Sequence, residues 1–150
     1  MKTLNFLLLI ILVLSFGSGC TENQDQLSDN GEPTKINTTK PKDQSLSNQV
    51  KEFVIEKDEI TDVKAVNTEN ELLLAIKVGQ FERFQIKSIE EEVKSDLEKK
   101  YPNKTVDVSI DQKIIWELGA LEDKLQKDEI KVKELKEDIK RIKDLMKEKT

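Results

Sequence analysis

Thirteen residues from Leu4 to Phe16, LNFLLLIILVLSF, are almost unbroken hydrocarbon, interrupted only by Asn5 and Ser15, and no comparable run follows in a chain of 150 residues. Lys2 and the amino terminus place positive charge just ahead of the run. Thirteen residues of helix span about 20 Å, short of the ~30 Å hydrocarbon core of a bilayer but normal for the apolar region of a cleaved signal. Gly17, Ser18 and Gly19 follow, and then Cys20, the only cysteine of the chain. The fold must therefore come from the residues behind Cys20, enough for one small domain with extensions.

The leader resembles a bacterial lipoprotein signal peptide, in which a thiol just after small residues receives a diacylglyceryl group and becomes the mature N-terminus. The resemblance implies that residues 1–19 are removed and that Cys20 carries the lipid, with palmitate-type acyl chains. Gly17 stands where such signals usually have Leu. The competing readings are an ordinary cleaved signal with an incidental cysteine, or an uncleaved anchor. Two acyl chains, at about 0.8 kcal/mol per buried methylene, hold a protein stably on a membrane. The expected location is the outer, non-cytoplasmic face of the cell membrane.

Composition removes several kinds of chemistry. The chain has no histidine, which excludes a Ser-His-Asp triad and the commonest general base and zinc ligand. A single cysteine excludes an internal disulfide and any multi-cysteine metal site. A net charge of -5 offers no basic excess for neutralising phosphates, so nucleic acid is not an expected partner.

Residues 20–49 contain few apolar side chains, two of the three prolines (Pro33 and Pro41), and many Asn, Gln, Ser and Thr. Such a stretch buries little and is expected to be a disordered tether. Behind the leader the aromatics are Phe53, Phe81, Phe84, Tyr101 and Trp116. Because aromatics bury the most area per residue, they are expected to mark the core of a domain over 50–125.

Within that domain Val50, Phe53, Val54 and Lys57 have helical spacing. Residues 62–67 alternate with period two, a turn follows at 67–70, and 72–78 form a second strand, giving an antiparallel hairpin with Leu72, Leu74, Ile76 and Val78 on one face. Ser88 and Glu91 make a capping-box pattern, Ile89, Val93, Leu97 and Tyr101 recur every four residues, and Pro102 ends that helix. Residues 105–110 alternate again. The order is helix, strand, strand, helix, strand, an α+β domain with helices on one face of a three-stranded sheet.

From Asp111 to Thr150 there is no proline. Ile114, Leu118, Leu121, Leu125, Asp128, Val132, Leu135, Ile139, Ile142 and Met146 step by fours and threes, a heptad seam with one polar intruder. Residues 113–125 are expected to pack on the sheet, and 126–150 to project as a charged, coiled-coil-competent helical extension. A hairpin near Asp128 is the alternative; without glycine or proline there, a continuous helix is favoured.

A search for chemistry returns little. Glu90, Glu91 and Glu92 diverge by about 100° per residue and cannot converge on one metal. Asp107 and Asp111 lack calcium-loop spacing. Trp116, beside Ile114 and Ile115, reads as core, and so does Tyr101. No catalytic, cofactor or metal residue is expected, and the chain is not read as an enzyme.

The leader ending in Gly19-Cys20, the Asn/Gln-rich tether, DVKAVNTENELLLAIKV, SIEEEVKSDLEKKYPNKTVDVSIDQKI and WELGALEDKL together resemble the spore lipoproteins of the YhcN/YlaJ type from endospore-forming Gram-positive bacteria. The likeness covers about residues 1–125, leaving the helix behind Leu125 as an extension. It implies a lipid-anchored, non-enzymatic protein of the forespore or spore membrane, acting in sporulation, germination or outgrowth by protein contacts. The alternative is a general envelope structural or adaptor lipoprotein that self-associates through its C-terminal helix. Cys20→Ala is expected to abolish labelling by a radioactive fatty acid and to shift the protein out of the membrane fraction. Undiminished labelling would remove the lipoprotein reading.

Overall fold

The computed structural model describes residues 33–38, 42–80 and 84–148. The signal peptide at 1–19, Cys20, the rest of 20–32, residues 39–41 and Phe81 lie outside the described residues. Helix α1 spans Ser45–Ile55, strands β1 and β2 span Ile60–Asn67 and Glu71–Val78, helix α2 spans Ile86–Lys100, strand β3 spans Thr105–Ser109, and helices α3 and α4 span Gln112–Gln126 and Val132–Glu148. The sheet order is β1-β2-β3. β1 and β2 form the expected antiparallel hairpin, with Ala65 opposite Leu74 and Asn67 opposite Leu72. β3 joins β2 in parallel, Leu72 opposite Val106 and Leu74 opposite Val108, with α2 as the crossover.

The α+β class and the three strands agree with the sequence. Helices on one face only do not. Leu72, Leu74 and Ile76 point into a core with Val50 and Val54 of α1 and Ile89, Val93 and Leu97 of α2. Leu73, Ala75 and Val66 point the other way, into a second core with Ile114, Leu118, Leu121 and Leu125 of α3 and Leu135, Ile139 and Ile142 of α4. The cause is legible in Leu72-Leu73-Leu74-Ala75-Ile76, an unbroken apolar run that leaves hydrocarbon on both faces of its strand. A three-layer arrangement results.

The continuous C-terminal helix is also overturned, and with it the extension over 126–150. α3 stops at Gln126, and Asp128 takes φ 55°. The Glu129 amide donates to the Lys124 carbonyl (2.9 Å) and the Asp128 amide to the Leu125 carbonyl (3.2 Å), the two bonds of a Schellman cap. Aspartate is among the few non-glycine residues that tolerate this left-handed conformation, so no glycine is needed. Asp128 is thus a turn residue with an exposed side chain paired to Lys42, not a seam residue. Ile130 is buried behind it, and Glu134 reaches back to the Lys131 amide (3.1 Å) to start α4.

α4 then returns along α3. Lys124–Asp138 (3.1 Å) and Arg141–Glu117 (2.8 Å) join the two helices, and Lys143 bonds Glu71 (2.5 Å) beside Asp107 (3.4 Å). The stripe expected to serve a coiled coil is buried against the chain's own domain.

Two smaller corrections follow. α2 starts at Ile86, with Gln85 before it and no side-chain cap, so Ser88 and Glu91 lie inside the helix instead of at its start. The tether is shorter than expected, because Ile36 is buried in the second core and α1 begins at Ser45.

Asp128→Gly should raise the melting temperature, since glycine takes φ 55° without strain. Asp128→Val should lower stability by about 1 kcal/mol, because a β-branched side chain is strained in the left-handed conformation that aspartate tolerates. Thermal unfolding of both variants checks this; a stabilising valine would contradict the turn.

Candidate functional site

β1 lies at the border of the sheet, and its outward amides need partners. Asn67 finds them in Gln44, whose side-chain amide donates to the Asn67 carbonyl (2.9 Å) and whose oxygen accepts from the Asn67 amide (2.9 Å). The Asn67 side chain in turn accepts from the Ser47 amide (2.9 Å) in the first turn of α1. Ala65 uses Glu122, reaching round from α3: its amide donates to Oε1 at 2.9 Å.

That same Oε1 accepts from Lys51 Nζ at 2.9 Å, and both side chains are sealed, Lys51 at 0% and Glu122 at 3% exposure. Lys51 also donates to the Thr34 carbonyl. One buried ion pair therefore links α1, β1, α3 and residues 33–38. Burial, ahead of the attraction of Lys51 and the Ala65 amide, pushes the Glu122 carboxyl up. Burial, ahead of Glu122, pushes the Lys51 ammonium down. The two charges must be kept together, since either one left alone would be buried without compensation.

The sequence carried a signal for both residues. Lys51 shares the stripe of Ser47, Val50 and Val54, and Glu122 follows Leu118 by one turn, each the charged member of an apolar face.

The acidic candidates are not brought together. Glu90 is half-buried and accepts a hydrogen bond from the Ile110 backbone, with burial pushing its carboxyl up. Glu91 faces solvent, and Glu92 bonds Lys57 at 2.6 Å. Asp111 caps α3 by accepting from the Lys113 and Ile114 amides (2.8 and 3.3 Å). Asp107 faces Lys143. Among the described residues no group of His, Cys, Asp and Glu could hold a metal ion. The depressions found are shallow and charged, one lined by Glu137, Lys140, Arg141 and Asp144 on the outer side of α4.

The aromatics did not mark the core. Every buried hydrophobic residue among those described is aliphatic. Phe53 and Tyr101 pack at the margin of the first core, with Lys100 Nζ 3.9 Å from the centre of the Phe53 ring. Phe84 is fully exposed and Trp116 is 68% exposed. On α3, Ile114, Leu118, Leu121 and Leu125 centre one stripe, and Trp116 lies roughly 160–180° round the helix from it. Its neighbours in sequence are core; its side chain is not.

These features define a small three-layer α+β domain in which Asp111 caps a helix, Glu122 holds a strand edge, and Glu92 and Asp107 face lysines. The chain belongs to the sporulation lipoprotein family YhcN/YlaJ, whose family profile matches residues 17–147. The match includes the helix behind Leu125, which the sequence reading had set apart as an extension, and begins three residues before Cys20. No curated protein and no solved structure matches the chain. No helix among the described residues is long and apolar enough to cross a membrane.

Lys51→Met should cost about 3–5 kcal/mol by leaving Glu122 buried without its cation, whereas Lys51→Met with Glu122→Gln should recover most of that, since glutamine still accepts the Ala65 amide. Because the folded state takes up the Glu122 proton more readily than the unfolded chain, the deficit of the single variant should shrink on acidification. Urea unfolding at several pH values tests both statements. Equal losses in the single and double variants would show that the charge is not what matters.

Proposed function

We propose that the chain is a non-enzymatic, lipid-anchored protein that acts in sporulation, spore germination or outgrowth through protein contacts at the spore membrane. The observation that carries this reading is the family match, which takes in Gly17-Ser18-Gly19-Cys20 together with the whole folded domain. The leader supplies a route across the membrane and a thiol for lipid.

Support for a non-catalytic role comes from the use of the described ionisable groups. Glu122, the most deeply buried carboxylate, is sealed against Lys51 and the β1 edge, away from anything a substrate reaches. Contacts with protein partners fall to the outer surface, because the apolar stripe of α4 is already occupied. The general envelope adaptor loses its main motive for the same reason.

A transcriptional reporter should be silent in growing cells and active in the developing spore, and the protein should fractionate with spore membranes. Strong activity in exponential growth, with the protein in vegetative membranes, would overturn the assignment in favour of a general envelope role.

A further inference from the structure

The exposed aromatics and the route of the chain toward Cys20 meet at one end of the sheet. β2 and β3 are parallel, so Val78 and Ser109 lie toward the same end of the sheet, Ser109 opposite Ala75. Phe84 stands two residues before α2, whose Glu90 binds the Ile110 backbone just past β3. Trp116 is in the second turn of α3, whose cap Asp111 follows Ser109 by two residues. Both side chains therefore belong to the end marked by Val78 and Ser109.

Residues 33–38 run toward the same end. The Ile36 backbone pairs with the Asn48 side chain (2.9 and 2.7 Å), Thr34 with Lys51, and Lys35 with Glu52 (2.6 Å). Ile36 lies against Asn48, and Lys35 and Thr34 against Glu52 and Lys51, so this segment is antiparallel to α1. α1 starts against Asn67 at the far end of the sheet and leads to Ile60, which pairs with Val78. Pro33 thus points toward the end that carries Phe84 and Trp116. Only twelve residues separate it from Cys20, a reach of at most about 45 Å.

We infer that the sheet end bearing Phe84 and Trp116 is a lipid-facing surface, which seats the domain on the bilayer that holds its anchor. This rests on the lipoprotein reading of Cys20. Tryptophan, an apolar ring with a polar N–H, favours the membrane–water interface, and the wholly apolar Phe84 ring would sit just below it among the acyl chains. Two of them could not recruit a free protein, but an anchor within reach makes the second contact intramolecular, where a weak interaction suffices. The arrangement also accounts for the exposure of Phe84 and Trp116, when every buried hydrophobic residue among those described is aliphatic.

Trp116 is the only tryptophan of the chain and so reports on itself. The full lipidated protein, purified from membranes, is reconstituted into phosphatidylglycerol–phosphatidylethanolamine vesicles, one batch with brominated acyl chains. Flotation reads anchoring, and Trp116 emission reads seating. The expected result is flotation with the vesicles, a blue-shifted emission, and several-fold stronger quenching by the brominated lipid. Phe84→Asp, at a fully exposed position, should float equally and lose most of that quenching. Flotation with a solvent-like, unquenched emission would overturn the inference and leave anchoring intact. Failure to float would remove the anchoring reading and the inference with it. A blue shift that grows with protein density and ignores bromine would assign the end to a second copy of the chain, against the inference.

Discussion

The free edge of β1 makes the strongest demand on this fold. A border strand offers unpaired amides and carbonyls, and here they sit between two helical layers. Gln44 and Asn67 answer at one end of the strand with reciprocal amide bonds, and Glu122 answers at the middle by taking the Ala65 amide. Glu122 brings a charge with it, and Lys51 arrives from the opposite layer to balance that charge. Lys51 then holds Thr34, so residues 33–38 lie along the edge beside α1. The placement of α1, α3 and the entering chain is tied to this one requirement. Burial opposes both charges, so neither residue can hold this position without the other.

The second face of the sheet depends on a turn. Leu73, Ala75 and Val66 would be bare hydrocarbon if α3 ran on into solvent, and α3 alone, packed mainly over β1 and β2, leaves room beside it. The left-handed Asp128 closes the helix, Ile130 plugs the bend, and α4 lays Leu135, Ile139 and Ile142 into the remaining space. Surface pairs then fix the direction of return: Arg141 holds the Glu117 carboxyl below its usual range, and Glu71, with Asp107 beside it, raises the Lys143 ammonium. Such exposed pairs add little energy singly and serve mainly to set the register of one helix on its neighbour.

Family membership and structure agree on the unit of the fold. The match over residues 17–147 takes in the three residues before Cys20 and both helical layers, so α4 belongs with the sheet it covers. The molecule is also polar along its strands. At one end Gln44, Asn67 and the Asp128 turn gather as a hydrogen-bonded base. The other carries the exposed aromatics and the chain leading back toward Cys20. For the lipid-anchored protein proposed above, this asymmetry supplies one end to face a bilayer and one to face away.

Local pattern determined much of this without any structure. Period-two alternation gave β1 and β3, four-residue spacing gave α2, and Pro102 its end. Even the two-sided sheet stood in the unbroken run Leu72 to Ile76, read too narrowly as a one-faced strand. Spacing round the α3 helix likewise places Trp116 opposite its apolar stripe, although its neighbours Ile114 and Ile115 argue for core and the exposed side chain contradicts that reading. What local pattern could not supply was partnership at a distance. A stripe of Leu135, Ile139 and Ile142 is the same whether it meets another chain or its own sheet, because hydrophobic burial is non-directional and indifferent to what covers it. Lys51 and Glu122 are ordinary surface residues until two layers close over them, and Asp128 is ordinary until a helix must reverse there. Tertiary structure decided these, since each depends on which groups, distant in sequence, the closed fold removes from water.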